Sequence, residues 1–388
     1  MTRLGGIALR IVESDWADEV ASPPHDALTP AQRRAHLAAH PRSYLGVTRG
    51  MEDVAPGITM TPAELLDAGK VALEELLQCG AFGDERAEAF YAYRLEDSEH
   101  SQTGIICAIP ADGLRTGELR AHEDVHGARR DHLAGHLTVV GHQSSPVVVS
   151  HRSDPVVTRA LENATEREPL LDHTSSDGLR QTIWLMTGPE ADAVIEALAE
   201  DALYVIDGHH RTGAALSHFD AVGGEGGGAW LLGAIFPSDE MRNLAHHRVW
   251  AGEPMALTHR LGELGARKVE RSEVEGRSAA EIAVYVDGGW YLLRLPIDSE
   301  ASPVERLEPS RLQAQLLDAL GGSVSYRPGS APISELAVAL EPNEALFVLR
   351  PITMLELFEV ADAGQHMPPK STYFSPKARS GVVVRSVT

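Results

Sequence analysis

Residues 202–219 read Ala-Leu-Tyr-Val-Ile-Asp-Gly-His-His-Arg-Thr-Gly-Ala-Ala-Leu-Ser-His-Phe. The run Leu203–Ile206 contains only apolar residues that favour β-structure, so it predicts a short buried strand. Asp207-Gly208 interrupts this run, and from His209 onward the spacing of the alanines, Leu216 and Phe219 predicts a helix. This stretch therefore predicts a strand that turns sharply into a helix.

Such a corner is suited to binding an anion. The first N–H groups of a helix lack partners within the helix and point outward, where phosphate or carboxylate oxygens can accept them. Gly208 allows close approach of the backbone to a ligand, and Arg211 offers a planar fork of donors. His209 and His210 add donors or a base that titrates near neutral pH. The alternative is that Asp207 only caps the helix and that the histidines are solvated.

The run Asp207-Gly208-His209-His210-Arg211 resembles the signature of the family catalogued as domain of unknown function 1015. That family is related in fold to ParB, to sulfiredoxin and to the free-serine kinases, in which a similar corner with a Gly…Arg core grips nucleotide phosphate. The resemblance implies an α+β protein. Its core would be a ParB/sulfiredoxin-like mixed sheet with surrounding helices and additional N- and C-terminal elements.

Composition restricts the possible partners. The 388 residues carry 34 Lys+Arg against 56 Asp+Glu, a formal net charge of -22. Such a surface repels duplex nucleic acid, so we expect no nucleic-acid partner. No apolar stretch reaches the length of a membrane span, and the N-terminus lacks a secretory h-region. We therefore expect a cytoplasmic protein without a membrane partner.

A second polar stretch, Arg120–His126, contains the pair His122-Glu123. From spacing alone it can hold a metal, orient a base, or form a surface cluster of salt bridges. The family pattern has His-Glu-x-Thr here and a Ser-Pro further on, which Ser145-Pro146 matches. Val125 stands where a threonine is usual, so a hydroxyl contact of the relatives is in doubt.

A third stretch, His366–Lys377, closely resembles the Met-Pro-Pro-Lys-Ser-Thr run of the family. Lys370, Ser371, Thr372 and Lys377 can reach an anion across a cleft, and the alternative is a tail pinned over the core. His247-Arg248 matches a family Thr-His-Arg stretch, or lies at a strand edge with polar side chains.

The other local predictions are ordinary. Pro23-Pro24-His25-Asp26 matches a family Pro-Pro-Tyr-Asp box, with His25 as a departure, or is a plain turn. A capping box at Thr61–Glu64 predicts a helix. The glycine-rich residues 223–228 are predicted to be a flexible connection. We expect three parts, an N-terminal lobe (1–150), a core (151–255) and a C-terminal part (256–388) whose tail returns over the cleft, or one continuous domain over 20–385.

The resemblance implies a nucleotide-binding, kinase-like enzyme that transfers a phosphoryl group to a free amino acid such as serine. Its cofactor would be ADP or ATP with Mg²⁺. Glu123 or Asp207 can serve as base or as a magnesium ligand. The candidate catalytic residues are Glu123, His122, Asp207 and His209. The candidate phosphate- and nucleotide-binding residues are Gly208, His210, Arg211, His247, Arg248, Lys370, Ser371, Thr372 and Lys377.

Two other functions remain open at this point. The first is a ParB-like binding or regulatory module that uses nucleotide without phosphorylating a metabolite. The second is metal-dependent hydrolysis by His122, Glu123 and the pair His209-His210. Adjacent residues on a helix diverge by about 100°, so the two histidines rarely bind one ion, and we assign no metal ligands. The oligomeric state is not predicted.

Overall fold

The computed structural model describes residues 1–23, 25, 28–125 and 127–387. Pro24 and Asp26 of the N-terminal box, and His126 of the second polar stretch, lie outside the described residues. No helix in the described part of the chain is both long and apolar enough to span a bilayer.

The strands of the described residues are numbered in chain order. They are β1 (Ile7–Ile11), β2 (Arg86–Ala89), β3 (Tyr91–Glu96), β4 (Ser101–Pro110), β5 (Leu119–Arg120), β6 (His142–Gln143), β7 (Val147–His151), β8 (Leu171–Thr174), β9 (Arg180–Leu185), β10 (Leu203–Asp207), β11 (Trp230–Pro237), β12 (Asn243–Leu244), β13 (His246–Ala251), β14 (Arg267–Val269), β15 (Ile282–Val286), β16 (Gly289–Leu293), β17 (Ser323–Pro328), β18 (Glu344–Val348), β19 (Tyr373–Phe374) and β20 (Val383–Ser386).

The helices are numbered in the same way. They are α1 (Ala17–Val20), α2 (Pro30–Ala39), α3 (Pro62–Gln78), α4 (Gly113–Thr116), α5 (Gly127–Val140), α6 (Pro155–Thr165), α7 (Gly188–Leu198), α8 (His209–Ala221), α9 (Pro254–Glu263), α10 (Arg271–Glu275), α11 (Pro303–Arg306), α12 (Glu308–Leu312), α13 (Asp318–Leu320), α14 (Ile333–Val338) and α15 (Met354–Asp362).

The chain divides into two compact units. Unit 1 comprises Met1–Met241 and Pro376–Thr388, and unit 2 comprises Arg242–Ser375. Within unit 2, the N–H group of Ser375 donates to the carbonyl of Arg242 at 3.1 Å. The segment that forms unit 2 therefore begins and ends at adjacent points, as expected for a domain inserted into another.

Unit 1 contains a mixed sheet of eight strands in the order β5-β10-β7-β11-β4-β3-β9-β8. β10 runs parallel to β5, and β11 runs parallel to β7, while the other neighbours are antiparallel. The apolar face of the sheet packs on helices α6 and α7 through buried side chains such as Val157, Leu161, Val194 and Leu198. This rigid core holds β10, the strand of the predicted corner.

The chain termini meet in a second sheet of unit 1. Its order is β2-β1-β20-β6, so the C-terminal strand β20 lies between the N-terminal strand β1 and β6. β20 is antiparallel to both neighbours. Since β20 is an interior strand and largely buried, the preceding residues 376–382 are held on unit 1.

Unit 2 has its own six-stranded sheet, in the order β14-β16-β15-β18-β13-β17, and a small pair formed by β12 and β19. Two buried apolar clusters support this sheet, one with Trp250, Leu257 and Phe347 and one with Val249, Val274 and Leu346. β13, which carries His247 and Arg248, lies between β18 and β17. The expectation that these residues lie at a strand edge is therefore wrong.

The predicted fold class is confirmed: the protein is α+β, with a mixed sheet, surrounding helices and additional N- and C-terminal elements. The capping box at Thr61 begins α3, as predicted. The division at residues 150 and 255 stays a prediction, because compact units report spatial contacts and not evolutionary domains. Residues Gly226–Ala229 of the glycine-rich stretch form a 3₁₀ turn, and the side chain of Arg385 donates to the carbonyl of Gly227 at 2.7 Å.

Candidate functional site

The predicted corner is present at the end of β10. Asp207 is the last residue of the strand, Gly208 follows with φ +99°, and α8 begins at His209. This left-handed conformation strongly favours glycine, because a β-carbon would crowd the backbone. The first helical hydrogen bond runs from the Thr212 N–H group to the Gly208 carbonyl at 2.9 Å. The three preceding N–H groups therefore lie before the first hydrogen bond of the helix.

Two cations converge on the carboxylate of Asp207. The ammonium of Lys377 lies 2.8 Å from Oδ1, and Nη2 of Arg211 lies 2.6 Å from Oδ2. Nη1 of Arg211 also donates to the carbonyl of Pro146 at 2.8 Å. Asp207 makes no side-chain cap on α8, whose N-cap residue is Gly208. His209 is buried and His210 is half-buried, so the alternative of a plain cap with solvated histidines is wrong.

These ion pairs keep the carboxylate of Asp207 ionised. Burial alone raises the pKa of Asp207, but the charges of Lys377 and Arg211 outweigh burial and hold the pKa well below its usual range. In a chain with a formal net charge of -22, the corner thus brings two cationic side chains together at one carboxylate. Cationic side chains beside a helix N-terminus can bind an anion.

A possible acid–base group lies beside the corner. The Glu123 carboxylate is 39% exposed, and its Oε2 lies 3.7 Å from Nδ1 of the buried His209. The ring of His209 meets the ring of His122 edge to face, with centroids 4.6 Å apart. His122 is fully buried, so the expectation of a surface cluster is wrong for this residue. The structure thus brings together the four candidate catalytic residues, since His209 also acts electrostatically on Asp207.

Packing against α8 holds the segment with His122 and Glu123. A β-carbon added to Gly213 would lie 2.9 Å from Cγ1 of Val125 and 3.6 Å from Cδ of Arg130. The methyl groups of Val125 therefore pack onto the face of α8 that Gly213 leaves open. Val125, which replaces the usual threonine of the family, therefore makes an apolar contact with α8.

The C-terminal segment delivers Lys377 through several anchors. The buried Ser144 hydroxyl donates to the carbonyl of Val383 at 2.6 Å and accepts the N–H group of Gly381 at 2.7 Å. Ser380 forms an antiparallel bridge with Ser22, which precedes the N-terminal Pro-Pro box. The hydroxyls of Ser145 and Ser380 are also hydrogen-bonded. The segment that follows Lys377 is therefore held by two remote parts of the chain, Ser22 and residues 144–145.

The remaining predicted nucleotide-binding residues belong to unit 2. Arg248 is buried and donates to the carbonyls of His246, Lys370 and Pro369 at 3.0, 2.8 and 3.3 Å. Its guanidinium also lies over the ring of Tyr326, 4.6 Å from the centroid. Burial lowers the pKa of Arg248 to about 10, so it remains a cation at neutral pH.

Arg248 thus organises the loop that carries the other predicted residues. Lys370 is exposed and has a positive φ of 56°, and the buried Ser371 hydroxyl donates to the carbonyl of Pro368 at 2.7 Å. Thr372 is half-buried. His247 is buried, and burial lowers its pKa to about 4. The roles of His247, Arg248, Lys370, Ser371 and Thr372 in nucleotide binding stay predictions.

Within the described residues, one group of side chains has the spacing of metal ligands, and it lies away from the predicted catalytic residues in the sequence. It consists of His25, Glu52 and Asp53. Nε2 of His25 lies 3.1 Å from Oδ2 of Asp53. Nε of the buried Arg33 lies 2.6 Å from Oδ1 of Asp53. Because a guanidinium already neutralises Asp53, this group is a partly buried ion-pair network, and we place no metal there.

The sequence-based prediction missed the contribution of Ser144 and of the Pro146 carbonyl. The match of Ser145-Pro146 to the family pattern indicated that this segment belongs to the site. The role of the Pro146 carbonyl could not be predicted, because every residue type has a backbone carbonyl. The prediction also missed the surroundings of Tyr204 on β10, where the guanidinium groups of Arg120 and Arg152 lie 6.0 and 5.7 Å from the ring centroid.

Comparison with protein families agrees with these motifs. A model described as "Protein of unknown function (DUF1015)" matches residues 7–315. The chain belongs to this family. The matched range contains Glu123 and the corner at Asp207–Arg211, while Lys377 lies beyond it. No curated protein matches the chain significantly.

Solved structures similar to this DUF1015 protein are distant. One is SbnI with a C-terminal truncation from Staphylococcus aureus, with 14% identity, a TM-score of 0.40, and coverage of 71% of this chain and 85% of that chain. A free serine kinase mutant in complex with AMP has 12% identity, a TM-score of 0.38, and coverage of 71% and 91%. A mutant in complex with ADP has 12% identity, a TM-score of 0.37, and coverage of 74% and 94%. These TM-scores are too low to carry a functional assignment.

Proposed function

We propose that the protein binds the phosphates of ADP or ATP at the corner and transfers a phosphoryl group to the hydroxyl of a small free amino acid such as serine. The observation that carries the proposal is the convergence of Lys377 and Arg211 on Asp207, at the N-terminus of α8. Phosphoryl transfer depends mostly on positioned cations and backbone donors, and this corner has both.

The residues have distinct roles in this proposal. Gly208 and the N–H groups at the start of α8 cradle a phosphate, and Arg211 and Lys377 supply positive charge. Asp207 orients the two cations. Its low pKa makes it a weak base, and both of its oxygens already face cations. We therefore assign the base to Glu123, with His209 and His122 as the side chains that position it.

The transfer balances without a further reactant. The acceptor oxygen forms a bond to the terminal phosphorus, and the bond from that phosphorus to the bridging oxygen breaks. The hydroxyl proton passes to the carboxylate of Glu123, and the nucleotide leaves with one phosphate fewer. Mg²⁺ bound to the nucleotide would neutralise charge on the phosphates. Glu123 fits as a ligand or as a base, because its carboxylate is part exposed beside the corner.

Catalysis is tested by incubating the protein with Mg-ADP or Mg-ATP and a panel of free amino acids, and by detecting phosphorylated product by mass spectrometry. We expect the wild-type protein to form such a product. Glu123→Gln keeps the shape of the side chain but removes the base, so the rate should fall about 10²- to 10⁴-fold while nucleotide affinity is retained.

Asp172→Asn is the matched control, since Asp172 on β8 is a part-exposed carboxylate paired with Arg180 on β9. Its rate should equal that of the wild type. Full activity of Glu123→Gln would refute the assignment of the base. Nucleotide binding without any phosphorylated product would refute the kinase function and favour the binding-module alternative.

A further inference from the structure

Residues 376–379 read Pro-Lys-Ala-Arg and form a strap that brings Lys377 to the corner. The chain is fixed through its backbone on both sides of this strap, at Ser375 and at Ser380. Between these points, no backbone carbonyl of the described residues accepts the N–H groups of residues 378–379. The strap therefore depends on its side-chain contacts.

Two ion pairs hold the strap. The ammonium of Lys377 lies 2.8 Å from Oδ1 of Asp207. The guanidinium of Arg379 pairs with Asp177, which lies between β8 and β9. The side chain of Arg379 is 10% exposed and that of Asp177 is 55% exposed, so water can compete for the outer partner of this second pair.

The surface of the sheet beneath the strap is polar. Gln102 of β4 and Gln181 of β9 both pair with Leu95 of β3, so the two side chains lie on the same face of the sheet. Nε2 of Gln102 donates to the carbonyl of Pro376 at 3.5 Å. The hydroxyl of Tyr93, two residues before Leu95 on the same face, donates to Oε1 of Gln181 at 2.6 Å.

Several buried polar atoms around the strap lack partners. Oε1 of Gln102, Nε2 of Gln181 and Nε of Arg379 form no hydrogen bond with the described residues. Gln102 is 1% exposed and Gln181 is 0% exposed. Burial raises the pKa of Tyr93 and the charge of Arg379 opposes this rise, so the guanidinium lies near that hydroxyl. Since buried polar groups in folded proteins are nearly always paired, lifting the strap would let water bind atoms that now have no partner.

We propose that the strap is a gate for the nucleotide. With Lys377 on Asp207 the gate is closed, and the strap lifts to admit or release the nucleotide. The Arg379–Asp177 pair sets the population of the open state. Segments with few backbone hydrogen bonds open locally, and opening of such lids limits ligand release in many enzymes. The inference rests on the proposed function for the identity of the ligand, and it adds the step that limits nucleotide exchange.

The gate is tested by stopped-flow fluorescence of the full-length protein with Mg²⁺ and mant-ADP, a fluorescent ADP. Loss of the Arg379–Asp177 pair destabilises the closed strap with and without nucleotide alike. Asp177→Asn should therefore raise the association and dissociation rate constants about 3- to 10-fold each, with a change in Kd of less than about twofold. Asp172→Asn is the control, because it removes a carboxylate from the same pair of strands that is bound to Arg180 and not to the strap. Its rate constants should equal those of the wild type.

Gln102→Leu tests the polar surface beneath the strap. An apolar side chain under Pro376 makes lifting the strap less favourable, so both rate constants should fall about twofold or more. In the protein without nucleotide, relaxation dispersion of the Ala378 methyl group should detect the open state. Its population should rise in Asp177→Asn and fall in Gln102→Leu.

Equal rate constants of the wild type and Asp177→Asn would overturn the gate and leave the phosphate site standing, since the nucleotide would still bind. Ala378 dispersion that is the same in the wild type and both variants would overturn it as well. If the dispersion responds as expected but mant-ADP does not bind, the moving strap is supported and the proposed function is refuted.

Discussion

At the scale of single residues, the position of the Arg211 side chain requires a residue without a β-carbon at position 208. A β-carbon at position 208 would lie 2.9 Å from Nε and Nη2 of Arg211, and φ at this residue is +99°. We therefore expect Gly208→Ala to lower the free energy of unfolding by about 1–2 kcal/mol through backbone strain. It should also displace Arg211 and weaken nucleotide binding, which denaturation and calorimetry measure separately.

Gly178→Ala is the control for backbone strain. Gly178 has a similar φ of +86°, but nothing lies within 4 Å of its added β-carbon. This variant should lose a similar amount of stability while nucleotide affinity is unchanged. Equal nucleotide affinity of Gly208→Ala and Gly178→Ala would contradict the role of the Gly208–Arg211 contact.

The ion pairs of Asp207 predict a dependence of stability on pH. Because the pKa of Asp207 is lower in the folded than in the unfolded protein, its contribution is fully present above the unfolded value of about 4. The contribution is lost as pH falls from there through the folded-state pKa. Asp207→Asn should lower the free energy of unfolding by about 2 kcal/mol at pH 7. Urea denaturation should show a smaller difference from wild type at pH 3.

Asp131→Asn serves as the control, since Asp131 is an exposed partner of Arg130. Its stability should stay within about 0.5 kcal/mol of wild type at both pH values. A constant difference between Asp207→Asn and the wild type from pH 7 to pH 3 would show that Lys377 and Arg211 do not stabilise the ionised carboxylate.

At the scale of elements, Ser144 connects β20 to the corner. Ser144→Ala would leave the buried carbonyl of Val383 without its donor and the N–H group of Gly381 without its acceptor. We expect a loss of about 1–3 kcal/mol in the free energy of unfolding, measured with urea. Hydrogen exchange should become faster over residues 377–384, because these backbone bonds hold the segment that carries Lys377.

Ser153→Ala offers a comparison at an exposed serine, whose hydroxyl bonds to Ser238 and Asp239 on the surface. It should change stability by less than about 0.5 kcal/mol. Unchanged exchange over 377–384 in Ser144→Ala would mean that β20 alone positions Lys377.

At the scale of the whole molecule, local features of the fold could be predicted from sequence and remote contacts could not. The period change at Asp207-Gly208 predicted β10 and α8, because strand and helix patterns depend on neighbouring residues. Lys377 pairs with Asp207 although the two residues lie 170 positions apart in the sequence. Only the family resemblance indicated that both residues belong to the site. Arg385 holds the glycine-rich residues that local composition predicted to be flexible.

The same distinction explains the candidate site. The pattern of residues 120–126 allowed a surface cluster, because the contact of the buried His122 ring with His209 joins residues that are remote in the sequence. The capping role of Asp207 was excluded only by the two cations that reach it, one from the same helix and one from the C-terminal segment.

The most direct test of the phosphate site is calorimetric titration of the full-length protein with Mg-ADP and Mg-ATP, comparing wild type, Arg211→Ala and Arg115→Ala. Arg115 is an exposed arginine paired with Asp220 of α8, so its loss controls for the removal of one positive charge. We predict that Arg211→Ala weakens binding about 10- to 100-fold, as expected for a lost charge-assisted hydrogen bond, while Arg115→Ala binds like the wild type. Equal affinity of Arg211→Ala and the wild type would contradict the assignment of this corner as the phosphate site.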